Sequence, residues 1–116
     1  MFTRVTALAP LLKLFLVVTA GVTEEILYRG YAIGLGQDLF GSVWVAASLS
    51  LLVFTIAHLN WRAGHLVSVA VAGGAVTALF VLSHDLGACI LAHTLVDAVA
   101  VALMPSYLRR WAKVPL

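Results

Sequence analysis

The chain has 116 residues, 63% of them hydrophobic, with seven Lys and Arg against five Asp and Glu and a net charge of +2. That length allows one domain, and a soluble domain of this size, with roughly 45–50% apolar residues as the norm, cannot hide so much apolar surface. The composition therefore excludes a water-soluble globule in favour of a bilayer as solvent, and the small charge, with no basic face interleaved with aromatics, excludes a nucleic-acid-binding module.

Roughly 20 apolar residues cross a bilayer as a helix, and four segments reach or approach that length. Helix A is expected from about Thr6 to Leu35. Arg4 and Lys13 flank its start, but no small-residue cleavage site precedes a polar mature chain, so it reads as a retained span rather than a signal peptide. The turn residues Gly34–Asp38 precede helix B, from about Ser42 to His58. Asn60–Gly64 separates B from helix C, about His65 to Leu82, and Ser83–Asp85 separates C from helix D, about Leu86 to Met104, which Pro105–Ser106 ends. The apolar runs are too long for strands and lack period-two alternation. With no linker, repeat or low-complexity tract, residues 1–116 read as a single all-α domain, a polytopic transmembrane helical bundle of about four helices.

The basic residues sort by side. An even number of spans places the N-terminus, the B–C loop and the C-terminus together, and these hold Arg4, Lys13, Arg62, Arg109, Arg110 and Lys113. The A–B and C–D loops hold Asp38 and Asp85 and no Lys or Arg. By the positive-inside rule both termini are expected in the cytoplasm, with Trp61 and Trp111 at the inner interface and Trp44 at the outer. The single cysteine, Cys89, reads as a packed apolar position.

Arg29 is left over, and with Glu24, Glu25, His58, His93 and Asp97 it sits on or at the ends of the spans. A charge facing lipid costs at least about 2.5–3.5 kcal/mol, so such groups face the bundle interior or a wet cavity and mark a functional site by default. Glu25 and Arg29, four apart, share a face and can pair. Glu24 points roughly 100° away, has no partner on its own helix, and suits a general base. His93 and Asp97 also share a face, and His58 ends helix B. His65 and His84 lie at loop edges, where no role is expected, and Phe54 and Tyr28 read as packing residues. On straight helices Glu24, His58 and His93 would differ in depth by roughly 10–15 Å. Convergence therefore requires tilt, a kink near Gly21 or Gly34, or a helix that does not fully span.

The strings Glu24-Glu25-x-x-x-Arg29, Phe54-x-x-x-His58 and His93-x-x-x-Asp97, in that order on separate spans, resemble the three motifs of the CPBP intramembrane protease family. This family includes type II CAAX prenyl endopeptidases and bacteriocin-processing or immunity homologues. The likeness covers about residues 17–99. It implies an endopeptidase in which Glu24 activates a water, His58 helps bind that water, and His93 and Asp97 form an oxyanion site, with Glu25, Arg29 and Phe54 supporting. It also implies a peptide or protein substrate at the membrane, prenylated CAAX-type or a leader peptide, and no cofactor. The chain departs from the family in having Asp97 where Asn is frequent, and family members commonly carry more spans. An ionised Asp would repel an oxyanion, so Asp97 must either hold a proton or orient His93. No G-x-S-x-G turn supplies a serine nucleophile. Three other classes stay open: a non-catalytic immunity or scaffold protein of the same fold, a zinc enzyme using Glu24, His58 and His93 (with Asp97 as a further ligand) although H-E-x-x-H is absent, and a piece of a proton-coupled transporter.

Overall fold

The computed structural model describes residues 8–59 and 63–111, with side chains as far as residue 103. The first helix runs from Pro10 to Phe40 in three continuous parts: α1 (Pro10–Glu25), a π-helical segment (Ile26–Ile33) and α2 (Gly34–Phe40). Then follow α3 (Val43–Ile56), α4 (Ala63–Ser83) and α5 (Leu86–Trp111). The described residues contain no strand. α1 lies along α5, α5 along α4, and α3 packs against α4, α2 and the π segment.

Local chemistry sets the ends. Pro10 opens α1, where its missing N–H is one that no helix could use. Gly41, at φ +68°, turns the chain after α2, a left-handed conformation that suits glycine. The Ser42 hydroxyl accepts from the Val45 amide and caps α3, and the Asp85 carboxylate accepts from the Ala88 amide at 3.0 Å and caps α5. The turn expected at Gly34–Asp38 therefore falls at Gly41–Ser42, because Gly34 and Gly36 stay helical, Gly36 closely against Ala46. Glycines are common inside membrane helices. α5 likewise runs past Pro105 to Trp111. Proline is tolerated in such helices because neighbouring groups re-satisfy the freed backbone. Arg4, Trp61, Arg62 and Lys113, on which the orientation argument leaned, lie outside the described residues, as do the side chains of Arg109, Arg110 and Trp111.

α4 and the Leu86–Leu103 part of α5 are long and apolar enough to cross a membrane. α3, with 14 residues, is about 21 Å long, short of a hydrocarbon core of roughly 30 Å. The distribution of polarity is that of a bundle solvated by lipid. Leu11, Phe15, Leu39, Val71 and Leu82 are among many large apolar side chains on the outside, while the largest fully buried side chains include Arg29 and Glu25. The chain is an all-α, polytopic membrane bundle.

Buried positions on the first helix fall at Val17, Gly21, Glu25, Arg29 and Ile33, four apart, and then at Gly36. Four residues exceed an α-turn of 3.6 by about 0.4 residue, so a four-spaced stripe drifts roughly 40° per step around an α-helix. The wider i→i+5 turn of a π segment removes that drift over 26–33 and keeps Glu25, Arg29 and Ile33 on the bundle face. The Tyr28 carbonyl in this segment accepts a 2.5 Å hydrogen bond from the Ser50 hydroxyl of α3.

Candidate active site

Glu25 is the centre of the buried polar structure. Its Oε1 accepts from Arg29 Nη1 at 2.9 Å along its own helix and from His93 Nδ1 at 2.6 Å across the bundle from α5. Its Oε2 has no hydrogen-bond partner among the described residues. Arg29, 1% exposed, spends its second nitrogen on α4: Nη2 donates to the Gly73 carbonyl at 2.9 Å and lies 3.3 Å from Thr77 Oγ1. Thr77 donates to the same carbonyl at 2.7 Å. One guanidinium thus ties the first helix to α4 while one carboxylate ties it to α5. Buried charges persist only when paired and hydrogen-bonded in this way.

Phe54 of α3 fills the space beside this network. The Arg29 guanidinium lies over its ring at 4.7 Å, an electrostatically attractive arrangement. Its ring lies 5.2 Å from Tyr28, 6.1 Å from His93 and 4.8 Å from His58. Gly73 makes this packing possible: a Cβ there would stand 2.8 Å from the Phe54 ring.

His93 is held by two different faces. Because a carboxylate can only accept, Nδ1 carries the hydrogen given to Glu25, which turns Nε2 toward the remaining carboxylates. Nε2 lies 3.4 Å from Asp97 Oδ2 and 3.8 Å from Glu24 Oε2. The two adjacent glutamates have separated as helix geometry predicts: the Glu25 side chain is fully buried, whereas that of Glu24 is 30% exposed. What Glu24 is exposed to is a cavity of about 310 Å³, whose wall also includes Arg29, His58, His93 and Asp97. His58 stands in the turn after α3, where Nδ1 donates to the Phe54 carbonyl at 2.8 Å, so in the neutral ring Nε2 is the acceptor.

The depth difference expected between these groups does not keep them apart: α3 ends at Ile56, and the turn that follows carries His58 onto the cavity wall. Away from the polar groups the wall is apolar. Leu16, Val17 and Ala20 of α1, Val69 and Ala72 of α4, and Val96 and Ala100 of α5 line it.

Glu24, His58, His93 and Asp97 therefore reach one cavity, Arg29 and Phe54 also form part of its wall, and Glu25 lies behind it. Sequence reasoning missed Gly73 and Thr77 as the far anchor of Arg29, and His65 as a cavity-lining residue. The available signal was the i, i+4 pair of a glycine and a hydroxyl in the middle of an apolar span. Among the described residues no three His, Cys, Asp and Glu side chains are grouped so as to hold a metal ion.

A family model described as type II CAAX prenyl endopeptidase Rce1-like matches residues 6–99. No curated protein and no solved structure matches the chain.

Proposed function

The chain belongs to the type II CAAX prenyl endopeptidase Rce1-like family, and from that premise we propose that it is an intramembrane endopeptidase whose nucleophile is a water activated by Glu24. The observation that carries this reading is that Glu24 Oε2 and Asp97 Oδ2 lie 3.8 and 3.4 Å from one His93 nitrogen, on the wall of a cavity that His58 also lines.

Peptide hydrolysis needs a base for the attacking water and polar groups aimed at the developing oxyanion. Glu24, with no partner on its own helix, takes the water proton. His58, fixed through Nδ1 on the Phe54 carbonyl, offers Nε2 as a second acceptor that orients the water. His93 and Asp97 face the carbonyl oxygen as it gains charge. Glu25 acts through His93: it fixes the ring's tautomer and direction, and Arg29 holds Glu25. The apolar walls suit a substrate delivered from the bilayer, a prenylated CAAX-type peptide or a leader peptide. Both termini and the cavity mouth lie on the cytoplasmic side in this proposal, as the basic residues of the termini and the α3–α4 connection require.

The test is cleavage of an internally quenched, farnesylated CAAX-type peptide by the purified protein in lipid nanodiscs. Glu24→Gln is expected to lower turnover by about 10²–10⁴-fold, the usual worth of a general base, with the melting temperature unchanged. Cleavage should persist in EDTA. Wild-type turnover by Glu24→Gln would remove the base from the mechanism. A wild-type protein that cleaves neither this peptide nor a leader peptide would leave the immunity or scaffold role instead.

A further inference from the structure

Three carboxylates, Glu24, Glu25 and Asp97, surround His93. Arg29 neutralises Glu25 directly, and an imidazolium at His93 would neutralise one more. A surplus negative charge then remains in a site walled by apolar side chains, unless one further proton is shared across the Glu24–His93–Asp97 set. The other titratable side chains on the cavity wall are His58 and His65. Of the two carboxylates facing Nε2, Asp97 is the nearer, at 3.4 Å, and its side chain is 37% exposed toward the cavity side of α5. Glu24, at 3.8 Å, approaches from the first helix. Both carboxylates therefore lie near the same imidazole nitrogen, one carried by the first helix and the other by α5.

Resting on the endopeptidase reading, we infer that Asp97 is a catalytic acid that delivers a proton to the leaving amine nitrogen, and that His93 Nε2 is the route by which the proton is replaced. Glu24 removes a proton from water, and the resulting hydroxide oxygen bonds to the carbonyl carbon. The oxyanion collapses to a carbonyl and the carbon–nitrogen bond breaks. Its electron pair leaves on nitrogen, which takes the Asp97 proton. The products are a carboxylic acid and an amine, with Glu24 protonated and Asp97 ionised. The Glu24 proton then passes to Asp97 through the nitrogen that faces both carboxylates. An asparagine could donate a hydrogen bond to the same oxyanion, but it could not give up a proton.

Two farnesylated peptides with the same acyl part separate these roles, one with the scissile amide and one with a thioester in its place. A thiolate leaves without prior protonation; an amide nitrogen does not. In nanodiscs, Asp97→Asn is expected to lower the amide-to-thioester rate ratio by about 100-fold or more, in the range of lost acid catalysis. Glu24→Gln is expected to lower both rates together. Asp97→Glu retains an acid and should recover amide cleavage at least tenfold over Asp97→Asn. An unchanged ratio in Asp97→Asn, or no recovery in Asp97→Glu, overturns the assignment while leaving the endopeptidase reading intact. A wild-type protein that cleaves neither substrate overturns both.

Discussion

Arg29 and Ile33 lie four residues apart on the same buried stripe of the first helix, yet they join different clusters. Ile33 packs with Ala46, Ala47 and Val81, with Val43 and Phe80 around them. Arg29 joins Glu25, His93, Thr77 and the Gly73 carbonyl. In water the first cluster would dominate stability. In a bilayer it does not, because lipid tails are as apolar as the side chains they replace, and helices associate through packing and interhelical hydrogen bonds. The apolar cluster supplies shape at the end of the bundle where α2 and α3 meet. The polar cluster supplies the register of the first helix against both α4 and α5, and that register brings Glu24 to Asp97.

The largest expected effect is at Arg29. Arg29→Met keeps the length of the side chain but leaves the Glu25 carboxylate buried with only His93 as partner. Removing one member of a buried pair costs about 3–5 kcal/mol, so unfolding in an SDS titration should shift by that amount and peptide cleavage should be lost. A variant of wild-type stability would show that His93 alone balances Glu25 and that the tie to α4 is ornamental.

Ile33→Ala truncates a buried side chain of the other cluster and sharpens the contrast. In a soluble core such a change costs about 2–5 kcal/mol, a transfer part plus a cavity part. With lipid as the solvent the transfer part is largely absent, and about 1–2 kcal/mol is expected in the same titration, with cleavage retained. A cost equal to that of Arg29→Met would mean that apolar packing, not the charge network, sets the register.

The two clusters also differ in how legible they are. The four helices were readable from long apolar runs, though not their ends at Gly34–Asp38 and Pro105, and the Glu25–Arg29 pair was readable from its spacing of four, because both are properties of one helix. The different burial of Glu24 and Glu25 was readable for the same reason. What joins helices was not. The 2.6 Å bond from His93 to Glu25 and the bond from Arg29 to the Gly73 carbonyl depend on relative depth and rotation, which no single span encodes. The family motifs named His93 without naming what holds its ring. The π segment was hidden too: its trace is a buried stripe with a period of four from Val17 to Ile33, and three of its five positions (Gly21, Glu25, Arg29) do not look like a core.

Ser50→Ala tests the joint between the clusters and carries the smallest expected effect. Its hydroxyl reaches the Tyr28 carbonyl within the π segment, one residue before Arg29 and five before Ile33. Hydrogen bonds between membrane helices are worth about 0.6 kcal/mol on average, so the unfolding titration should move by about that much. If the bond holds the wide turn in place, its loss lets residues 26–33 tighten toward α-helix, and the drift of roughly 40° per four residues returns. Glu25 lies before the segment, Arg29 within it and Ile33 at its end, so the rotation is largest at Ile33, smaller at Arg29, and spares Glu24. Ser50→Ala and Ile33→Ala should then be non-additive, whereas Ser50→Ala and a variant near His93 should add. Additivity with Ile33→Ala would detach the hydroxyl from the apolar cluster, and the π turn would have to be held by Arg29 and Glu25 alone.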